Sequence, residues 1–434
     1  MFTKLIMLSA VPALLGAQQM SDSNTFKPIS LADALRLAKE NNVQNILQAN
    51  SVRTSSLAIR AAKAQLYPGV SASLSQNKSS GQRLGQSGTL VDYVSAWTYN
   101  TGLSISQVLF DGGRSFADVR SAKANVAAQE ASLTSQEFNI SLAVKTQYNS
   151  ILAAKEQEAA GRAQLELAQQ QLAVSIAKVN AGAAPVVDSL NSVVGVGNAQ
   201  VAILNAQQLA RAASAQLTTL VATPYLVTAT AADTVDLPHT SIDSASLMQW
   251  ALDGPVIRQY QASLDAASAS QRSAKSAYFP TISGSFSYGG NGTSVYGVGP
   301  DPFPYSKSLG VRLSYPIFNG YSRENNVASA QISAENAQAQ IKNQKLVAQQ
   351  TIITQIGLLR NDEQTMAVQQ ISIRASEEAL RVSQQRYSLG AGTLVDLLTA
   401  QSNLIQARNQ LITTRLNYRN ARAQIEAFIG RDLP

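Results

Sequence analysis

The chain has 434 residues, of which 14% are charged and 45% hydrophobic, and a formal net charge of +7. It has no cysteine and one histidine, which excludes a disulfide framework, thiolate metal sites, a cysteine nucleophile and the two-histidine zinc helix. The basic residues are scattered without a dense run, which argues against nucleic acid as a partner. No phosphate-binding loop and no catalytic grouping stand out, so neither an enzyme nor a cofactor is expected.

The start reads as a secretory signal peptide over residues 1–17. Lys4 precedes a short apolar run from Leu5 to Leu15, and Gly16 and Ala17 follow. No later stretch reaches the ~18 apolar residues of a membrane-spanning helix. Ser30 and Asp33 then resemble a capping pair, opening a helix that runs toward Pro68. Two β-patterned stretches come next. Val70, Ala72 and Leu74 alternate with Ser71, Ser73 and Ser75, and Trp97, Tyr99, Leu103 and Ile105 alternate with Asn100, Gly102, Ser104 and Ser106. From about Phe116 to Asn180 there is no proline, and apolar residues recur every seven positions at Val119, Val126, Leu133 and Ile140, then at Leu165, Leu172 and Val179. A narrow seven-residue stripe on an otherwise polar helix predicts coiled-coil packing.

The plan is then written again. Pro68 aligns with Pro280, 212 positions on, within matching segments, while Phe110, Gly182 and Asp188 align with Phe318, Gly390 and Asp396, 208 positions on. The predicted layout is a first repeat over 18–222 with a β-hairpin at about 69–109, a connection at 223–244 holding Pro224, Pro238 and His239, and a second repeat over 245–434 with a hairpin at about 281–317. In the second copy Ile282, Phe286 and Tyr288 alternate with serines, as do Leu309, Val311, Leu313 and Tyr315 with small or polar residues. The strictest heptad run is Leu397, Leu404, Leu411, Tyr418 and Ile425.

Four two-faced strands cannot finish a structure alone, because unpaired strand edges in a bilayer cost several kcal/mol for each backbone group. A membrane barrel needs at least ~8 strands, and at eight the interior is filled by side chains. Three copies give twelve strands around a water-filled lumen, with the helices closing into a cylinder continuous with the barrel. The expected fold is thus mainly α with a membrane β part: a duplicated helix, β-hairpin and long-helix repeat. Its trimer forms a 12-stranded β-barrel joined to a periplasmic α-helical barrel.

The paired joints Leu-Phe-Asp-Gly-Gly (109–113) and Ile-Phe-Asn-Gly (317–320), and the run from Arg386 through Gly390 and Asp396 to Leu404, resemble the TolC family of outer-membrane efflux proteins over nearly the whole mature chain. The resemblance implies a homotrimer in the outer membrane of a Gram-negative bacterium, extending into the periplasm. It implies a passive exit duct of a tripartite efflux or type I secretion system, contacting outer-membrane lipid, a periplasmic adaptor and an inner-membrane pump. The alternative is a secreted, filament-type coiled-coil protein.

In such a family the turns at Gly182 and Gly390 form the periplasmic tip and contact the adaptor; each is also simply a glycine that a helix reversal requires. Asp188 and Asp396 read either as favourable charge at a helix start or as carboxylates ringing a tunnel mouth. Tyr387 matches a family position that helps hold the mouth closed. Gly392 stands where the best-known member carries arginine, so that ion pair is missing here. Trp97, Tyr99, Phe303 and Tyr305 are expected in a membrane-interface girdle, with loop packing as the other reading. Arg408, Arg415, Arg419 and Arg422 read as a basic stripe, a solvated face with contact to a partner or cargo as the other reading.

Overall fold

A computed structural model describes residues 26–84, 86, 88–230, 243–298 and 303–433. The expected signal peptide and the stretch holding Pro238 and His239 lie outside the described residues. In chain order the elements are β1 (Lys27–Ile29), α1 (Leu31–Asn41), α2 (Val43–Ala64), β2 (Gly69–Asn77), β3 (Ser80–Leu84), β4 (Leu90–Val94), β5 (Thr98–Phe110), α3 (Arg114–Asn180), α4 (Val186–Val221) and β6 (Val227–Ala229). They continue with α5 (Ser244–Leu252), α6 (Pro255–Lys275), a 3₁₀ turn at Ser276–Tyr278, β7 (Thr281–Gly292), β8 (Tyr305–Ser314), α7 (Ser322–Ser388) and α8 (Leu394–Ile429). Helices α3 and α7 both span 67 residues, and α4 and α8 both span 36. The chain divides into two compact units, each drawing on both halves of the sequence: one takes residues up to Asn41, Val144–Asp236 and Val368–Leu416, and the other takes the rest.

The expected single helix from Ser30 to Pro68 is broken at Asn42. Its backbone is extended (φ −61°, ψ 127°), and its side chain accepts from the Gln44 N–H at 3.0 Å, so α2 receives its own cap. At Ser30 the hydroxyl accepts the Asp33 N–H at 3.1 Å and donates to the Asp33 carboxylate at 2.8 Å.

In the first unit β1 and β6 form a two-stranded parallel pair. Side chains tie off its backbone: the Tyr148 hydroxyl donates to the Ile29 carbonyl at 3.0 Å and accepts from the Thr230 N–H at 3.1 Å, and Lys155 donates to the Ala229 carbonyl at 2.5 Å. Leu380, Tyr387, Leu394, Leu397, Ala400 and Leu404 form a core where α7 meets α8. The buried seam of α4 is made of small residues every seventh position, Ser192, Ala199, Ala206 and Ala213, which lets helices approach closely.

In the second unit β2, β5, β7 and β8 form one antiparallel sheet in that order, so the two hairpins join through β5 and β7. Residues directly opposite one another share a face. One row reads Val70, Ile105, Phe286, Leu309. The neighbouring row reads Ser71, Ser104, Ser287, Ser308, a line of hydroxyls crossing all four strands, with Oγ···Oγ distances of 2.6 Å for Ser71–Ser104 and 2.7 Å for Ser287–Ser308. The apolar face is uncovered: Leu74 is 70% exposed, Leu309 84% and Val311 72%. Strands β3 and β4 form a separate two-stranded extension beyond β2 and β5. Near the helical end of this unit Leu247, Ala251, Ile352, Ile425 and Ile429 form a core.

Strand passes into long helix through left-handed backbone. Gly112 (φ 68°) and Gly113 (φ 82°) open α3, and Asp111 accepts from the Ser115 N–H at 2.8 Å; Gly320 (φ 64°) precedes α7. A Cβ on Gly112 would collide with the Cβ of Phe279, so no side chain fits. The arginines of α8 do not form the solvated stripe expected of them. Arg408 pairs with Glu377 at 2.8 Å and Arg415 with Glu156 at 3.9 Å, while Arg419 and Arg422 are both 8% exposed. Arg422 binds Glu426 at 3.1 Å and also donates to the Leu433 carbonyl. A charge can be buried there because a carboxylate and a carbonyl take up its N–H groups.

Candidate functional site

The polar groups of the first unit converge where α3 turns into α4 and α7 into α8. Both turns use one device. Ala183 N–H bonds Lys178 carbonyl at 2.8 Å and Gly182 N–H bonds Val179 carbonyl at 3.0 Å, while Ala391 bonds Arg386 at 2.8 Å and Gly390 bonds Tyr387 at 3.2 Å. This is the Schellman pattern, and it puts the residue after the helix in the left-handed region, φ 70° at Gly182 and 75° at Gly390. Glycine is there because the backbone demands it.

The returning helices start differently, and the difference separates the two aspartates. Before α8, Thr393 and Asp396 cap each other: Asp396 N–H donates to the threonine hydroxyl at 3.2 Å, and Thr393 N–H donates to the Asp396 carboxylate at 3.2 Å. The hydrogen bonds of Thr393 hold the Asp396 carboxyl below its ordinary range. Before α4 the corresponding residue is Pro185, with no N–H to donate and no hydroxyl to accept. Asp188 is therefore released from capping, and its carboxylate accepts the Tyr387 hydroxyl at 3.2 Å.

Tyr387 is 4% exposed. Burial, foremost, pushes its hydroxyl above the ordinary tyrosine range; a hydrogen bond from Ser175 opposes this, and the charge of Asp188 adds to it. Lys178 lies 4.1 Å from the centroid of the Tyr387 ring and donates to the Tyr387 carbonyl. Beneath them Ser175 and Ser192, both buried, share a hydrogen bond of 2.8 Å, Gln171 donates to Ser175 at 3.1 Å, and Ser192 donates to the Asp188 carbonyl at 2.9 Å. The structure thus brings Asp188 and Tyr387 together and leaves Asp396 with Thr393. Lys178, Ser175, Ser192 and Gln171 escaped the sequence reading, since a lysine in a last helical turn is expected on dipole grounds alone and buried serines carry no hydropathy signal. Gly392 lies beside Arg386, whose guanidinium donates to the Ala391 carbonyl at 3.3 Å.

The aromatics lie in the second unit. Tyr99 meets Tyr296 edge-on at 5.3 Å, Phe303 meets Tyr305 at 5.4 Å, and Tyr305 stacks on Tyr288 at 5.5 Å. Trp97 is 46% exposed and carries the Lys78 ammonium 5.7 Å from its ring centroid. A second exposed set, unforeseen from sequence, gathers where strands meet helices: Tyr67, Phe110, Phe116, Phe279, Tyr315 and Phe318. Among the described residues no helix is long and apolar enough to cross a membrane, and no grouping of His, Asp and Glu could hold a metal ion.

A duplicated, mainly helical chain whose four-stranded sheet has one bare apolar face and one hydroxyl face defines a class of membrane channel subunits. The sequence model of the outer membrane efflux protein family matches residues 34–223 and 249–431, and the chain belongs to that family. It is an outer-membrane protein of efflux, and its family is one of transport channels. The pyoverdine export outer membrane protein OpmQ of Pseudomonas aeruginosa is 29% identical over 345 residues, 77% of this chain and 69% of that protein. Outer membrane protein TolC of Escherichia coli is 25% identical over 181 residues, 40% of this chain and 37% of TolC. Among solved structures, VceC of Vibrio cholerae superposes with a TM-score of 0.76 at 18% identity, covering 93% of this chain and 97% of that one. The Campylobacter jejuni CmeC channel gives 0.75 at 17%, covering 92% and 85%. Membership in this family sets aside the filament-protein alternative.

Proposed function

We propose that three copies of this chain close into one passive exit duct, fed by an inner-membrane pump through a periplasmic adaptor. The observation that carries this is the sheet β2-β5-β7-β8. Its outer strands leave two edges of backbone N–H and C=O groups unpaired within one copy, which hydrocarbon does not tolerate. Pairing β8 of one copy with β2 of the next removes every edge, and three copies give twelve strands. The apolar rows then face lipid. The hydroxyl rows face the lumen, where short side chains line water without filling it.

The turns at Gly182 and Gly390 form the periplasmic tip and meet the adaptor. The Tyr387–Asp188 hydrogen bond is the fastening that holds the helix pair α3/α4 to α7/α8 in the closed state. Lys178 supplies beside it the positive charge that Gly392 does not. Asp396 caps its own helix and leaves an exposed carboxylate at the entrance. Trp97, Tyr99, Phe303 and Tyr305 mark the outer interface of the membrane, and the second aromatic set marks the inner one.

Planar-bilayer recording of the purified protein tests the reading. Discrete conductance steps that increase in the Tyr387→Phe variant are expected. A protein that inserts without conducting, in wild-type and variant form alike, overturns it.

A further inference from the structure

Two lysines stand at the loop end of the sheet, each against an aromatic ring. Lys78 follows the last residue of β2, and Lys307 lies two residues inside the loop end of β8. Lys307 belongs to the apolar face, opposite Tyr288 in the row that contains Leu103, and Lys78 directly follows the strand that carries Val70, Ala72 and Leu74. Each ammonium lies over an aromatic ring, Lys78 over Trp97 and Lys307 over Tyr288, both at 5.7 Å. Among the described residues neither lysine forms an ion pair.

An apolar band whose loop-end rim carries open cations matches a bilayer leaflet of phosphorylated lipid at that rim. A lysine normally snorkels out of hydrocarbon to solvent or headgroups, and an aromatic ring beneath it fixes the ammonium at headgroup level. With the helices in the periplasm, the loop end faces the outer leaflet, which is built of phosphorylated glycolipid. The two lysines stand on opposite outer strands of one sheet, so they belong to different seams. Closing the barrel sets β8 of one copy beside β2 of the next, bringing Lys307 and the Lys78 of the next copy to the two sides of each seam.

We propose that each of the three seams is a binding site for one phosphorylated outer-leaflet glycolipid of the lipid A type, its phosphates taken by Lys78 and Lys307 and its acyl chains lying along the apolar rows. This rests on the trimeric barrel proposed above.

The test compares wild type with the Lys78→Gln/Lys307→Gln variant, and with Lys342→Gln on α7 as a control cation. Each is reconstituted in phosphatidylethanolamine vesicles with added lipid A, dephosphorylated lipid A or inorganic phosphate. Lipid retained per trimer is measured by native mass spectrometry, and conductance is recorded in parallel. Retention of lipid A is expected to fall about fivefold for each lysine lost, with the control and the retention of dephosphorylated lipid unchanged. All three proteins should conduct equally. Equal retention of lipid A by wild type and the double variant, equal retention of the two lipids by wild type, or displacement of lipid A by millimolar phosphate overturns the site while conductance leaves the duct standing. Failure of wild type to insert or conduct overturns both.

Discussion

Tyr387 and Asp188 stand 199 residues apart in sequence, yet the tyrosine hydroxyl donates to the aspartate carboxylate at 3.2 Å. The contact depends on Pro185: the same aspartate in the other half of the chain, Asp396, is held by Thr393. The difference at one capping position separates a helix cap in one half from a tie between two helix pairs in the other.

If that tie holds the closed state, Tyr387→Phe and Asp188→Ala each remove a hydrogen bond to a charged group, worth about 1.5–3 kcal/mol. Open-state occupancy in bilayer recordings should rise roughly ten- to a hundredfold, and the double variant should add little to either single change. Because burial raises the Tyr387 pKa, the donor stays protonated through neutral pH. The tie is lost through this group only above the ordinary tyrosine range, so conductance changes driven by Tyr387 ionisation at pH 7–9 would contradict the assignment.

Restoring a cap at the first aspartate should loosen the tie. Pro185→Thr offers Asp188 an N–H and a hydroxyl of its own, and single-channel recordings should show partial opening. Thr393→Ala should cost about 0.5–2 kcal/mol of stability in thermal melts, with conductance little changed.

On the sheet, the face decides the outcome. Ile105→Arg or Leu309→Arg, in the apolar row midway along the strands, places a charge on the apolar face and should cost about 2–4 kcal/mol per copy near mid-bilayer. Loss of the protein from the outer-membrane fraction is expected, whereas Ser104→Ala on the hydroxyl face should insert normally. Normal insertion of the arginine variants would reverse the faces.

Asp362 on α7 is 6% exposed, and among the described residues its Oδ2 has no hydrogen-bond partner. Burial raises its pKa above the usual carboxylate value. A raised folded pKa means that stability present at low pH is lost as pH rises through that value. Asp362→Asn should therefore melt higher than wild type at pH 8, with the gap closing toward pH 4.

Large residues at long range made much of the fold legible. Leu397, Leu404 and Leu411 announced a buried heptad seam, and all three are buried; serine alternation announced two-faced strands. Small residues were silent: the Ser192, Ala199, Ala206 and Ala213 seam has the same spacing but little apolar surface to reveal it. The serine row across four strands depends on register between hairpins 200 residues apart, which periodicity within a strand does not fix. Arg422 read as solvated because nothing in sequence shows that Glu426 and the Leu433 carbonyl receive it. At the site, glycines and aspartates were visible as motifs, whereas the choice between cap and tie lay in Pro185 against Thr393, a contrast that matters only once the Tyr387 hydroxyl is in place.

The most direct measurement is cysteine cross-linking between strand edges in membranes, since the native chain has no cysteine to interfere. Within one copy β2 and β8 are separated by β5 and β7, about 14 Å at ~4.8 Å per strand, beyond the ~7 Å reach of a disulfide. Pairs combining Val70→Cys, Ala72→Cys or Leu74→Cys with Leu309→Cys, Val311→Cys or Leu313→Cys should, at the correct register, give a covalent ring of three chains on denaturing gels. Each single change should stay monomeric. Monomers from every pair, or a dominant species other than three chains, would contradict closure of the wall by identical neighbours.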